Sequence, residues 1–169
     1  MSARGRRSGS DSRCCQPTEF ALRWIDYIDD SHEAVVELET WLEGLTPFAR
    51  NHELGRIDDL LESASFGELE DSGDAVTPIK PIRMDPEIFE IRHTALSKKL
   101  RFYHGEPAEL ATSLVSVHRH IKVGDEHQES QIEFAADRYT NGRDALWSLA
   151  EANEAGPSEG EVAESLEQP

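Results

Sequence analysis

The chain has 169 residues, 17 Lys and Arg against 34 Asp and Glu, and a formal net charge of −17. That length suits one domain with tails better than two, and the charge argues against a protein that coats bare nucleic acid or an anionic membrane with its whole surface. No run of 18 apolar residues occurs, and none follows the basic start MSARGRRSGS, so a soluble cytoplasmic protein without membrane contact is expected.

Residues 1–17 are rich in Arg, Ser and Gly and lack periodicity, which predicts a disordered leader. The two cysteines, Cys14 and Cys15, sit side by side within it. Two thiols cannot staple a scaffold or furnish four zinc ligands, and they read as incidental. A first strand is expected over 20–27, followed by the cap cluster Asp29, Asp30 and Ser31. Val35, Leu38, Leu42 and Leu45 then step by three, four and three, the stripe of a helix. Thr46 and Pro47 restart the count as N-cap and first helical residue. The second stripe is Leu54, Ile57, Leu61 and Ala64, and the pair predicts a helical hairpin. Residues 63–75 read as a loop.

Beyond the loop, segments 78–83, 88–93, 98–103 and 111–121 have β character and predict an antiparallel meander. Pro78 and Pro81 make the first an edge or only partly paired strand. Asp125 with Gln128 resembles a capping pair, and Ile132, Ala135, Ala136 and Tyr139 predict a closing helix, with a last turn over 143–149. Residues 151–169 hold six Glu and no Lys or Arg, an acidic tail expected to be disordered. The fold class is therefore α+β, a single domain over 18–150 with an antiparallel-rich sheet packed on an N-terminal helical hairpin.

Residues 76–122 carry eight Lys and Arg against five Asp and Glu. The sheet is thus the basic part of an acidic chain. Strand alternation puts Leu100 and Phe102 on one face and Lys99, Arg101 and Tyr103 on the other; it likewise separates Phe89 and Ile91 from Glu90 and Arg92. If the apolar sets face the hairpin, Arg92, Lys99, Arg101 and Tyr103 form a cationic floor suited to a phosphodiester transition state. The same residues also suit a plain solvated sheet face. His118 and His120 share a face with Arg119 opposite; an imidazole there can act as acid or base, and no third ligand of obvious spacing points to a metal. No phosphate loop, nucleophile elbow or zinc-protease motif occurs.

WLEGLTP at 41–47, FEIR at 89–92, RFY at 101–103, VSVHRHIK at 115–122 and QIEFAADRY at 131–139 stand in an order that resembles the RelE/HigB superfamily of toxin–antitoxin toxins, particularly its phage-derived HigB-like branch. The resemblance implies a RelE-like fold, a ribosome-dependent endoribonuclease acting on messenger RNA without a cofactor, and a cognate antitoxin of helix-turn-helix type. It implies that Arg92 and Arg101 hold the scissile phosphate while the 2′-hydroxyl attacks. Lys99, His93 or His118 would move protons, Lys122 and Arg119 would contact RNA, and Tyr103 would stack on a base. The family's usual Lys-Lys pair is here Lys122 followed by Val123 and Gly124. A catalytically inactive protein-binding module on the same fold, or an unrelated α+β interaction module, are the other readings of the same residues.

Overall fold

A computed structural model of the chain describes residues 8–147. The expected acidic tail over 151–169, the first seven residues of the expected leader and residues 148–149 of the expected last turn lie outside the described residues. The elements are β1 (Arg23–Asp26), α1 (Glu33–Glu43), α2 (Pro47–Ser65), β2 (Ile79–Met84), β3 (Glu87–Ala95), β4 (Lys98–Gly105), β5 (Ser113–Lys122) and α3 (Asp125–Asp144), with three short 3-10 turns. The class is α+β. The sheet order is β1-β5-β4-β3-β2: β2 to β5 form an antiparallel meander, and β1 lies parallel to β5, making the sheet mixed. Pro81 falls on β2, which is an edge strand, where a missing N–H costs no ladder bond.

Local chemistry sets the helix starts. Thr46 Oγ1 accepts from the Ala49 N–H and Pro47 opens α2. α1 is capped by His32, whose Nδ1 accepts from the Ala34 N–H, while Asp29 closes the preceding turn on Ser31. α2 runs to Ser65, into the expected loop. The expected capping pair at the start of α3 does not form: Gly124 is the N-cap, without a side-chain bond, because the Gln128 amide turns inward to Glu90.

The two faces of the sheet bury different helices. On one, Leu38, Leu42 and Ile57 pack against Ala95, Leu100 and Ile121, and Ala64 meets Ile79, Ile91 and Leu114. On the other, Ala135, Tyr139 and Trp147 cover Ile88, Tyr103, Val115 and Val117. A bulge in the β4–β5 register pairs Tyr103 with His118 but His104 with Ser116, leaving Val117 over. The extra residue resets the alternation, so Val115, Val117, His118 and His120 all serve the α3 side and Arg119 the other.

Residues 8–17 do not behave as the expected disordered leader. Two 3-10 turns carry Ser12 and Cys14 into full burial. The Arg13 guanidinium donates to the carbonyls of Pro107, Leu110 and Ser113, and the Cys14 carbonyl accepts from the Leu69 N–H. Three carbonyls on one guanidinium supply the order that composition alone does not promise. Gly67, at φ +71°, is the close approach that permits this docking, since a Cβ there would stand 1.9 Å from the Gln16 carbonyl oxygen.

Candidate functional site

The antiparallel registers gather the basic residues. Arg92 stands opposite Arg101, Lys99 opposite Lys122 and Lys80 opposite Glu90. Cross-strand partners share a face, so Lys80, Arg92, Lys99, Arg101 and Lys122 form one group. With Arg83 they border a cleft of about 1010 Å³, closed on its far side by Ser8, Gly9 and the loop from Asp71 to Thr77. Six basic side chains thus face two acidic ones, Asp71 and Asp74. Asp71 is occupied: it accepts from the Gly73 N–H, Ser8 Oγ and Thr77 Oγ1, and these bonds lower its pKa, Gly73 foremost.

Under the cationic floor lies Glu90, fully buried. Its carboxylate accepts from Arg92 Nε at 2.7 Å and from Gln128 Nε2 at 2.5 Å, and Arg101 Nε lies 3.6 Å away. Burial lowers the Arg101 guanidinium's pKa while the Glu90 charge opposes that shift. Arg101 Nη1 is spent on the Leu100 carbonyl, and its buried Nε has no hydrogen-bond partner among the described residues. The carboxylate therefore holds the Arg92 guanidinium by a hydrogen bond and faces Arg101 as a counter-ion, and the Arg101 Nε–H remains unspent.

Of the residues expected at the site, Arg92, Arg101, Lys99 and Lys122 come together on the cleft. Tyr103 and His118 share that face but lie beneath α3. Tyr103 is buried and its hydroxyl pairs with His120 Nε2 at 2.9 Å; burial, then the Glu90 charge, raise its pKa. His118 Nε2 donates to Gln131 Oε1 at 2.6 Å, and its ring packs against His32 and Phe134. Burial is the main cause that lowers His118 to about 4 and His120 to about 3, so both are neutral near pH 7. The picture of Tyr103 as a phenol at the edge of an open floor is therefore corrected: α3 roofs it.

The remaining two expected residues sit on the opposite face. Arg119 pairs with Glu39 and Asp30. His93 Nε2 lies 3.8 Å from Glu53 Oε2, and burial lowers its pKa. Neither can reach a ligand held by Arg92 and Arg101. Lys80, Arg83, Glu90 and Gln128 join the site without having been expected there. The alternation of β2 against Glu90 was the signal for Lys80; nothing local announces that Gln128 turns inward.

No family model, curated protein or solved structure matches this chain. Function rests on the geometry and the motifs alone.

Proposed function

We propose that the chain is a RelE/HigB-like endoribonuclease that cuts messenger RNA on the ribosome, with Arg92 and Arg101 as the phosphate clamp. The observation that carries this reading is the pair of guanidinium groups, opposite each other across β3 and β4 and flanked by Lys80, Lys99 and Lys122 on the cleft. Guanidinium donors stabilise the charge that grows on the non-bridging oxygens as the 2′-oxygen attacks phosphorus. The P–O5′ bond then breaks, leaving a cyclic phosphate and a 5′-hydroxyl. Of the three residues expected to move protons, Lys99 alone borders the cleft, so it takes that role. The order of one strand, two helices, four antiparallel strands and a closing helix supports the RelE-like assignment. The partners of this reading are the ribosome, the message and a helix-turn-helix antitoxin that neutralises the toxin.

A second reading, a catalytically inactive regulatory module that binds through the same fold, is favoured by one specific feature. Among the described residues no imidazole borders the cleft; His118 and His120, on that face, are buried under α3. Inducible expression of the wild type beside Lys99→Ala/Lys122→Ala separates the two. Growth arrest with new RNA 5′ ends inside translated messages, lost in the double variant, supports the nuclease. Soluble, folded wild type that neither arrests growth nor generates 5′ ends removes it and leaves the binding module.

A further inference from the structure

On the other side of the sheet from the guanidinium pair, the docked N-terminal segment brings Cys14 against the end of β4. Cys14 Sγ lies 3.6 Å from His104 Nε2, and that nitrogen lies 2.8 Å from Glu106 Oε2. One ligand atom from each residue falls within 4.8 Å of the others. Cys14 and His104 are fully buried, and the Glu106 side chain nearly so. The imidazole is held edge-on by Trp24 and stacked on Phe89. Glu106 is fixed in turn by Ser12 Oγ and by the Arg13 N–H.

One nitrogen serves two neighbours here. If Nε2 carries a proton it can point it at the carboxylate, and the sulfur then lacks a donor. If the thiol donates to Nε2, the nitrogen has no proton for Glu106 and two acceptors meet at hydrogen-bond distance. A divalent cation engages all three groups at once, because thiolate, imidazole lone pair and carboxylate all become donors to one centre. The Cys14–His104 spacing suits zinc, since tetrahedral bonds of about 2.3 Å to sulfur and 2.0–2.1 Å to nitrogen separate those two atoms by about 3.5 Å; the Glu106 carboxylate, at hydrogen-bond distance from Nε2, has to move out by about 0.5 Å to ligate. Thiolate with carboxylate balances the charge of the ion, and the sulfur selects a borderline-soft metal over magnesium or calcium.

We propose that Cys14, His104 and Glu106 form a three-residue zinc site that ties the N-terminal segment to the end of β4, with water in the fourth position. The tie has a consequence for the cleft, since Ser8 and Gly9 of the same segment form part of its wall.

The test uses the full chain, purified under reducing conditions, stripped with a chelator, and titrated with Co²⁺ and then with Zn²⁺. Expected are one equivalent of Co²⁺ bound with a sulfur-to-cobalt charge-transfer band, displacement of that band by Zn²⁺, and a rise in the thermal midpoint on adding Zn²⁺. Cys14→Ser should abolish the band and Cys15→Ser should leave it intact. Glu106→Gln, which keeps a hydrogen-bonding side chain of the same size, should weaken Zn²⁺ affinity at least tenfold and decides the matter if Cys14→Ser does not fold. Absence of the band in folded wild type, a band that survives in Cys14→Ser, or unchanged affinity in Glu106→Gln overturns the site.

Discussion

Gln128 of α3 donates to Glu90 of β3 at 2.5 Å, and so joins the closing helix to the carboxylate that orients Arg92 and Arg101. Removing the charge leaves Arg101 buried with no counter-ion among the described residues. Glu90→Gln should therefore cost about 3–5 kcal/mol, the penalty of breaking a buried ion pair from one side. Urea unfolding would read it as a lower midpoint; a midpoint equal to wild type would show that the carboxylate does not hold the two guanidiniums.

Acid should loosen the α3 face. His118 and His120 are depressed to about 4 and 3, first by burial; His32, Arg119 and Arg138 add to the shift at His118, and His118, His127 and Arg101 at His120. Gln131 opposes it at His118 and the Ile121 carbonyl at His120. The unfolded chain binds protons at these sites near pH 6.5 and the folded chain does not, so stability is full above pH 6.5 and is lost as pH falls toward 4 and then 3. At about 1.36 kcal/mol per pH unit, each histidine can contribute on the order of 3–5 kcal/mol to that loss. Comparing the pH dependence of unfolding in wild type and His120→Gln tests this, because the variant should show a shallower decline; parallel curves would remove His120 as a source.

Two glycines offer opposite signs. A Cβ on Gly105 would stand 2.4 Å from the Tyr139 ring, itself in edge contact with Trp147, so Gly105→Ala should destabilise by about 1–3 kcal/mol through overpacking. Gly55 lies exposed within α2 with nothing within 4 Å of a Cβ. Gly55→Ala should stabilise by about 0.5–1 kcal/mol. Thermal midpoints moving in the same direction would contradict the packing described for one of the two.

Binding of a single-stranded RNA oligonucleotide should depend steeply on salt. Each phosphate contact contributes about 0.7 to the slope of log affinity against log salt, so Lys99→Ala and Lys122→Ala should each flatten the slope by about that amount. Arg119→Ala, on the far face and paired with Glu39, should leave it unchanged. A slope that flattens for Arg119→Ala and not for the lysines would place the RNA on the wrong side of the sheet.

Much of the fold is written locally. The spacing of Val35, Leu38 and Leu42, the Thr46-Pro47 start and the four β segments each need only near neighbours to be read, and each forms. Alternation alone also separates His93 from Arg92, since His93 shares its parity with Phe89 and Ile91. What was not legible depends on distant partners. Period two assigns Tyr103, His118 and His120 to a face but does not say that α3 will cover it. Composition made residues 8–17 look unstructured, and what holds them is Arg13 meeting carbonyls some ninety to a hundred residues away.

The parallel pairing of β1 with β5 sets Arg23 opposite Ser113. On a growing chain, the β2–β5 meander can close through neighbouring turns as it emerges, whereas β1 must wait for the last strand, about ninety residues after its own synthesis. Until then the first strand has no ladder partner, and of its apolar side chains Trp24 has only α2, through the Leu61 carbonyl, to rest on. Truncation before Ser113 should therefore strand the N-terminal third of the protein as a target for chaperones and proteases, even though every residue of β1, α1 and α2 is present.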